Sequence, residues 1–309
     1  MTAEIEVREL RYFQAVAEEL SFSAAARRLG IAQPPLSRAI SQLERRLDVR
    51  LFNRDHHGVE LTSAGRSLLA DARIVLDAVS AAASRARQAA RTQPRLVITA
   101  KPGPASALLQ RLIDAYKAAA DPRHELAEVE ALVSGYGEQA EMVRTGRADM
   151  ALIGPPHGRP GLAEEPLVSE PRVAALPAGH ALAMRDPLHC GDLVGYPMPH
   201  RANAPYESRV YWSGRDRTGG DPVLPDGPVV YDTSQLLEVV ALGQAIALLP
   251  ESLAAHNQRP DIVYRPVADA SPYTIALIWP AQARGRHLAE FVRAATDCAT
   301  SQQTGQHTG

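Results

Sequence analysis

The spacing of apolar residues near the N-terminus predicts three consecutive helices. Apolar side chains recur every three or four positions, which places them on one helical face. The first helix is predicted over residues 8–19, and a third carries a similar stripe; the two stripes are Leu10, Phe13, Ala17 and Leu20, and Leu36, Ile40, Leu43 and Leu47. Between them, Ser23 is a suitable N-cap for a short helix over residues 24–29, which Gly30 ends.

The third helix carries polar and basic side chains opposite its apolar stripe. Pro34 and Pro35 fall in its first turn, where backbone amides have no partner within the helix. The outer face presents Gln33, Ser37, Arg38, Ser41 and Arg45. Arginine fits the acceptors of guanine, glutamine those of adenine, and serine a phosphate or a base edge. This face suits DNA, although the same residues also suit a helix that meets only solvent.

A short hairpin is predicted after the third helix. Residues 50–54 and 59–61 form two extended segments, joined by the polar turn Asp55-His56-His57-Gly58. The hairpin is interpreted as a wing beside the helices. No further metal ligands stand near His56 and His57 at useful spacing, so exposed turn histidines are the favoured interpretation.

A long helix is predicted from residue 63 to residue 91, with Thr62 as its N-cap. Its apolar positions alternate spacings of three and four in a heptad pattern of mainly small residues: Leu69, Ala72, Leu76, Val79, Ala83, Ala86 and Ala90. This pattern is typical of a close-packed helix pair. Packing on its own domain is the alternative, but the length, the alanine content and the linker-like end Thr92-Gln93-Pro94 favour a dimerising helix.

Strand and helix signals alternate from residue 95 onward. Strands at 96–99, 126–133 and 150–153 alternate with helices at 106–120 and 138–145, the order of an open, mostly parallel sheet. A second set has extended segments at 172–176, 229–231, 246–249 and 262–266, with helices at 206–212 and 234–242. A strand at 275–279 and a helix over 287–298 close the chain. The pattern predicts two α/β lobes, lobe I over about 94–168 and 265–300 and lobe II over about 169–264.

The net charge of −2 is unevenly distributed along the 309 residues. Seven arginines and three acidic residues lie between residues 21 and 57, and five arginines and two acidic residues between 62 and 93. From residue 94 onward, 19 basic side chains meet 24 acidic ones. A basic N-terminal part joined to an acidic remainder is typical when one end binds polyphosphate.

The chain has no features of a secreted or membrane protein. No apolar run approaches the roughly 18 residues that span a bilayer, and three glutamates stand among the first ten residues, where a signal peptide would be basic and then apolar. We therefore expect a cytoplasmic protein. Cys190 and Cys298 are far apart in sequence, and two idle thiols are favoured over the alternative of a redox sensor.

Enzyme motifs are missing from the sequence. It has no nucleophile elbow, metal-ligand spacing, phosphate-binding glycine loop or dinucleotide fingerprint. Asp149 is interpreted as a strand start, and Glu164 with Glu165 as a solvated turn, rather than as a carboxylate pair. We expect no catalysis, no cofactor and no metal. The rival hypothesis is a ligand-binding protein or small-molecule enzyme with an unrelated N-terminal domain.

Six segments within the first 66 residues together resemble the LysR-type transcriptional regulators. In the family's order and spacing, they are ELRYF (9–13), SFSAAA (21–26), QPPLSRAI (33–40), LE (43–44), LFNR (51–54) and LTSAG (61–65). The resemblance implies an operator-binding winged helix-turn-helix over residues 1–62. It also implies a dimerisation helix over 63–93, a homodimer or homotetramer, and RNA polymerase as a partner.

The same resemblance assigns DNA contacts. It implies that Gln33, Pro34, Ser37 and Arg38 read the major groove, while Ser23 and Arg54 hold the DNA backbone. Pro35, Ser41, Arg45 and His56 complete our candidate set.

A weaker resemblance to the family continues in the remaining two thirds. GRADMAL (146–152), LPAGHALA (176–183) and VVALGQAIALLP (239–250) are similar to landmarks of its effector domain. They imply that residues 94–309 form a two-lobed domain like that of periplasmic solute-binding proteins, with a small-molecule effector between the lobes. Ala245 replaces a glycine usual in the family, and the loop Ala100–Pro104 is unusually rigid.

The ends of the predicted strands supply candidate effector contacts, because ligands of open α/β sheets bind beyond the carboxyl ends of strands. These candidates are Lys101, Pro102, Gly103, Ser134 and Tyr136 in lobe I, and His200, Arg201, Asn203 and Thr233 in lobe II. Lys101 is one of only two lysines, and the helix start after Gly103 offers amides to an anion. We expect an anionic or strongly polar metabolite beside Lys101, although each residue alone also suits a solvated loop.

Overall fold

The computed structural model describes residues 4–55, 58–90, 93–119, 125–156, 158–202, 204–217, 224 and 226–306. The chain divides into two compact units, one of residues 1–90 with 144–147 and one of residues 91–143 with 148–309. Each unit has its own apolar core.

The N-terminal unit begins with the predicted helices and hairpin. Helix α1 spans Val7–Glu19, α2 spans Phe22–Leu29 and α3 spans Gln33–Leu47. Strands β1 (Phe52–Asp55) and β2 (Gly58–Leu61) pair antiparallel. The prediction of a winged helix-turn-helix is confirmed, including the two prolines in the first turn of α3.

Helix α2 starts two residues earlier than the sequence pattern predicts. The prediction of Ser23 as N-cap was wrong, because Ser21 Oγ accepts the capping hydrogen bond from the Ala24 amide at 3.3 Å. Ser23 instead lies exposed in the first turn of the helix. Gly30 ends α2 as predicted, with a left-handed φ of 66° that glycine adopts without strain.

One apolar core joins the helices to the hairpin. Three of the four residues of the predicted stripe of α3 are fully buried beneath its polar face, Leu36, Ile40 and Leu43, and Leu47 is half-buried. The rings of Phe13 and Phe22 pack against Phe52 of β1, with centroid separations of 5.4 and 5.9 Å. Helix α3 and the hairpin therefore share one rigid support.

Helix α4 spans Ser63–Ala89 and is capped by Thr62, whose Oγ1 accepts from the Gly65 amide at 2.9 Å. The first half of the heptad pattern does not pair with a second copy of the helix as predicted. Ala72 and Leu76 are instead buried in the core shared with α1. The large apolar side chains that this helix exposes are Ile74 and Val75, which are 65% and 42% exposed, and the later stripe positions Ala83, Ala86 and Ala90 are also exposed.

The C-terminal unit opens with alternating strands and helices. They are β3 (Arg95–Ala100), α5 (Pro104–Ala118), β4 (Glu128–Val133), α6 (Gln139–Arg144), β5 (Met150–Ile153) and β6 (Leu162–Glu170). Strand β6 was not predicted. Glu164 and Glu165, interpreted from sequence as a solvated turn, lie within it and pair with a later strand.

The chain then crosses into lobe II. Its elements are β7 (Arg172–Pro177), α7 (Tyr206–Trp212), α8 (Thr233–Ala241), β8 (Ala247–Pro250), α9 (Glu251–His256) and β9 (Ile262–Pro266). In the described residues the sheet order is β8-β7-β9, with both pairs antiparallel. The predicted strand at 229–231 is only an isolated bridge between His200 and Val229.

The chain returns to lobe I through β10 (Tyr273–Pro280) and ends in α10 (Arg286–Gln306). Among the described residues, the lobe I sheet has the order β4-β3-β5-β10-β6. Strand β3 is parallel to β4 and β5, whereas β10 is antiparallel to β5 and β6. The prediction of a mostly parallel sheet therefore fails on the side where the chain returns.

Arg172 is buried where the chain first crosses between the lobes. Its Nε donates to the Ser271 carbonyl at 2.5 Å, and its Nη1 donates to the Tyr211 carbonyl at 2.7 Å. Ser271 lies in the segment by which the chain returns from lobe II to lobe I. The Arg172 side chain therefore connects the two segments that join the lobes. Burial lowers the pKa of Arg172, partly offset by Tyr211 and Asp216.

Candidate functional site

The outer face of α3 presents the polar residues that the sequence singled out. Gln33, Pro34, Pro35, Arg38 and Arg45 are exposed, and Ser37 and Ser41 are half-buried at the edges of the face. Gln42 is also exposed and lies one helical turn after Arg38, although the sequence reasoning left it out. With about 100° between successive residues, Arg38, Gln42 and Arg45 share the side opposite the core.

Arg45 and its neighbour Arg46 have different surroundings. Arg46 forms an ion pair with Glu9 of α1, which is buried, and Glu9 also accepts from the Glu6 amide at 3.0 Å. Burial raises the pKa of Glu9, but the hydrogen bonds and the positive charge of Arg46 outweigh it and lower the pKa. Arg46 thus holds α3 to α1, while Arg45 points to solvent and has no ion pair within the described residues.

Glu44 joins α3 to the wing. Its Oε1 accepts hydrogen bonds from the backbone amides of Leu51 and Phe52, at 2.8 and 3.2 Å. Its Oε2 lies 3.3 Å from Arg54 Nη2, and the Arg54 guanidinium carbon lies 4.4 Å from the Phe22 ring centroid. One carboxylate therefore fixes both the start of β1 and the wing arginine, a role that the sequence did not reveal.

The second predicted backbone contact besides Arg54 is Ser23. Ser23 is exposed at the N-terminal turn of α2, where helix amides carry partial positive charge. His56, in the wing turn, lies outside the described residues.

A cleft of about 220 Å³ lies between the lobes of the C-terminal unit. The predicted effector residues that line it are Lys101, Pro102, Tyr136, His200, Arg201 and Thr233. Asn203 lies outside the described residues. The carboxyl ends of β3 and β4 and the start of α8 meet at this cleft, as the strand-end argument requires.

Ser134 and Gly103 do not line the cleft, so these two predictions were wrong. Ser134 is buried, with its Oγ 2.7 Å from Thr99 Oγ1, and it accepts from Gln139 Nε2 at 2.8 Å. Gly103 is instead the N-cap of α5, where its carbonyl accepts hydrogen bonds from the amides of Ser106 and Ala107. Gln139 replaces Ser134 as the lining residue.

Three aromatic rings surround the Lys101 ammonium group. Its Nζ lies 5.1 Å from the ring centroid of Tyr136, 5.3 Å from Tyr273 and 5.8 Å from Trp212. Burial lowers the pKa of Lys101; Tyr136 opposes this and Arg201 adds to it. Trp212 and Tyr273 were missed in the sequence, because they come from α7 and β10, far from Lys101 along the chain.

The lobes touch directly across the cleft. The hydroxyl of Tyr136, after β4, is hydrogen-bonded to the hydroxyl of Thr233, the first residue of α8. Asp232 caps α8 by accepting from the Gln235 amide at 2.8 Å. Arg201 of lobe II lies against Gly137 of lobe I, where any Cβ would collide with its guanidinium.

The cysteines have surroundings that favour idle thiols. Cys190 is buried, and burial together with the nearby Asp269 carboxylate raises its pKa to about 12. A thiol in that state is a poor nucleophile. Cys298 is half-buried on α10, against the lobe I core.

Two other kinds of site are absent from the described residues. No cluster of three or more His, Cys, Asp or Glu side chains suits a metal ion in the part of the chain that the structure describes. Within the same part, no helix is both long and apolar enough to cross a membrane.

Comparison with known proteins identifies both parts of the chain. Residues 7–66 match the family described as bacterial regulatory helix-turn-helix protein, lysR family, and residues 89–299 match the LysR substrate binding domain. The chain is 36% identical to the regulator AlsR of Bacillus subtilis (strain 168) over 63% of each protein. It is 30% identical to the Hca operon transcriptional activator HcaR of Escherichia coli (strain K12), over 89% of this chain and 90% of HcaR.

A solved structure supports the same assignment. Full-length CbnR, crystallised with its target DNA, superposes with a TM-score of 0.51 and 27% identity, covering 96% of this chain and 100% of that one. The chain therefore belongs to the LysR family of transcriptional regulators, with an N-terminal helix-turn-helix DNA-binding domain and a C-terminal substrate-binding domain.

Proposed function

We propose that α3 enters the major groove of operator DNA and reads bases with Arg38, Gln33 and Ser37. The observation that carries this proposal is the solvent-facing side of α3, which presents Arg38 and Arg45 opposite the apolar side chains that the helix buries in the core. Arginine pairs bidentately with guanine and glutamine with adenine. Gln42, one turn beyond Arg38, joins the reading set, and Pro34, Pro35 and Ser41 complete the contact surface.

The remaining candidates hold the phosphate backbone. Ser23 at the start of α2 offers a hydroxyl beside helix amides, which suits a phosphate. Arg54 is positioned by Glu44 and Phe22, so the wing contact is ordered before DNA arrives. His56 stays a proposed wing contact on the sequence alone.

We further propose that the protein acts as a homodimer, with α4 of two copies paired. Ile74 and Val75 are exposed, and Ala78 and Ala82 continue their side of the helix with small side chains. A two-fold dimer brings two reading helices to a symmetric site. Association of dimers into tetramers is part of this proposal.

The C-terminal cleft is proposed to bind a small-molecule effector that alters operator binding. Residues of both lobes line the cleft, so a ligand there favours one arrangement of the lobes over another. The Lys101 ammonium group has no carboxylate partner among the described residues, which favours an anionic ligand. The proposed setting is the cytoplasm, where the operator and RNA polymerase are found.

The experiment starts with thermal-shift screening of the full chain against a metabolite panel, because ligands of the folded state raise Tm. Each hit is then tested for its effect on DNase protection of DNA selected by the protein. The proposal expects at least one hit to change the extent or strength of protection. If hits that occupy the cleft leave operator binding and transcription unchanged, the cleft has no regulatory role.

A further inference from the structure

Lysine and arginine side chains of both lobes line the effector cleft: Lys101 and Arg159 from lobe I, and Arg201 and Arg209 from lobe II. Lys101 follows β3 in lobe I, and Arg201 lies in lobe II against the Gly137 loop of lobe I. Among the described residues, neither side chain has a carboxylate within ion-pair distance. Lys101 and Arg201 thus bring two cations without a carboxylate partner among the described residues to one cavity, one from each lobe.

The acidic side chain in the cleft does not neutralise them. Of the described residues that line the cleft, Asp232 is the one acid, and its Oδ1 caps α8 through the Gln235 amide. The rings around Lys101 attract its charge but carry no net negative charge of their own. Both side chains are half-buried, and a cation that is partly removed from water is stabilised by an ion partner, so an incoming anion supplies what these two residues lack. The lowered pKa of Lys101 is consistent with this geometry, because burial and then Arg201 disfavour its charged form.

The rest of the lining is largely apolar. It includes Ile153, Met198, Leu236, Leu249 and Leu253, together with several prolines. An apolar lining favours a ligand that has an apolar body of its own. It disfavours a bare inorganic ion, because apolar side chains cannot replace the water molecules that the ion loses on binding. The cavity volume of about 220 Å³ limits that body to a small molecule.

We infer that the effector is a small organic carboxylate with an apolar body, whose carboxylate lies between Lys101 and Arg201 and so bridges the two lobes. This inference rests on the proposed function of the cleft and names its ligand class. Bridging matters for regulation because a single anion relieves the repulsion between the lobes and holds them together.

The first test measures binding to the full chain by calorimetry. The probes are cyclohexanecarboxylate and benzoate, their uncharged amides, and inorganic phosphate. We expect the carboxylates to bind at least about tenfold more tightly than the amides, as for other hydrogen bonds to charged groups. Lys101→Met and Arg201→Gln should each weaken carboxylate binding by a similar factor. Lys117→Met, which alters the other, exposed lysine, is the matched control and should bind normally.

The second test observes Lys101 directly. Because the chain has two lysines, ¹³C labelling at lysine Cε gives resonances that Lys117→Met assigns. Each carboxylate should shift the Lys101 resonance and raise its titration midpoint, since a bound anion stabilises the ammonium form. If none of the carboxylates at millimolar concentration moves this resonance, the inference is wrong. It is equally wrong if amides match the acids, or if phosphate binds as tightly as they do.

The inference and the proposed function fail in different ways. An uncharged compound that changes operator binding equally in the parent and in Lys101→Met would contradict the inference that the effector is a carboxylate bound between Lys101 and Arg201. It would still support the proposed function of an effector-controlled regulator. Carboxylate binding at Lys101 without any effect on operator binding or transcription would support the inferred ligand class. It would contradict the proposed regulatory role of the cleft.

Discussion

The hydroxyls of Tyr136 and Thr233 form a hydrogen bond that joins the two lobes across the effector cleft. Tyr136 also lies beside Lys101, so one residue takes part in both the interlobe contact and the surroundings of the cation. A ligand that reaches Lys101 must therefore fit beside this bond or replace it. The contact couples occupancy of the cleft to the arrangement of the lobes.

Tyr136→Phe tests that coupling, because it removes the hydroxyl and keeps the ring beside Lys101. A hydrogen bond of this kind contributes about 0.5 to 1.5 kcal/mol, which corresponds to about a two- to tenfold change in apparent effector affinity. Titration of operator binding with a cleft ligand measures the change. Thr233→Val should give the same shift, and unaltered titrations in both variants would show that the bond does not couple the lobes.

Glu44→Ala should destabilise the N-terminal domain and weaken DNA binding. The substitution leaves the Leu51 and Phe52 amides without their carboxylate acceptor, at a cost of about 2 to 4 kcal/mol. Chemical denaturation and binding to selected DNA provide the two readouts. Glu60→Ala changes an exposed glutamate of β2 and should leave the stability within about 0.5 kcal/mol of the parent. Equal stabilities of the two variants would contradict the role given to Glu44.

Arg172→Met should destabilise the C-terminal domain by about 2 to 4 kcal/mol, because the Ser271 and Tyr211 carbonyls lose their donor. The segments that join the lobes should also move more freely, which hydrogen exchange at the Ser271 and Tyr273 amides would report. Arg185→Met, on an exposed side chain of the same lobe, is the control. A melting profile like that of the parent would mean that Arg172 does not connect the two segments that join the lobes.

The Glu9 and Arg46 ion pair predicts an acid-sensitive N-terminal domain. The folded pKa of Glu9 lies below its ordinary value of 4.5, so its stabilising contribution is present above that value. The contribution is lost as the pH falls through the folded pKa. Glu9→Gln should flatten the fall in stability below pH 4.5, whereas Glu4→Gln, an exposed neighbour, should not. Parallel pH profiles for all three proteins would contradict the sign of the Glu9 shift.

Ile74→Asp and Leu76→Asp should separate dimerisation from folding on α4. Ile74 is exposed, so the first change should give a folded monomer through burial of an unpaired charge at the proposed interface. Leu76 belongs to the core, so the second should unfold the N-terminal domain. Sedimentation with circular dichroism distinguishes the outcomes. A fully dimeric Ile74→Asp protein would place the interface elsewhere.

The N-terminal fold could be predicted because its determinants are local. Apolar spacing, Gly30, Thr62 and the prolines each act within one or two turns. Strand β6 escaped detection because it is an edge strand, and edge strands tolerate charged residues such as Glu164 and Glu165. The residues of α4 that pair in the dimer were misassigned, because heptad spacing identifies a stripe that is buried but does not show which neighbouring element buries it.

The cleft was only partly predictable for a similar reason. Strand ends placed Lys101 and Tyr136 together, since neighbouring strand ends meet at one edge of the sheet. Trp212, Tyr273 and Gln139 reach the cleft through tertiary packing between elements that are distant in sequence. Ser134 follows the right strand, but its hydroxyl is already bonded to Thr99 and Gln139.

Selection of DNA from a random pool tests the central claim most directly, namely that α3 reads sequence. The parent protein should enrich a two-fold symmetric motif, and Arg38→Ala should lose that motif while remaining folded and dimeric. A bidentate arginine contact contributes about 1 to 3 kcal/mol of discrimination, and a dimer would lose two. Arg185→Ala, far along the chain in lobe II, should select the same motif as the parent. Enrichment of an unchanged motif by Arg38→Ala would contradict the assignment of α3 as the reading helix.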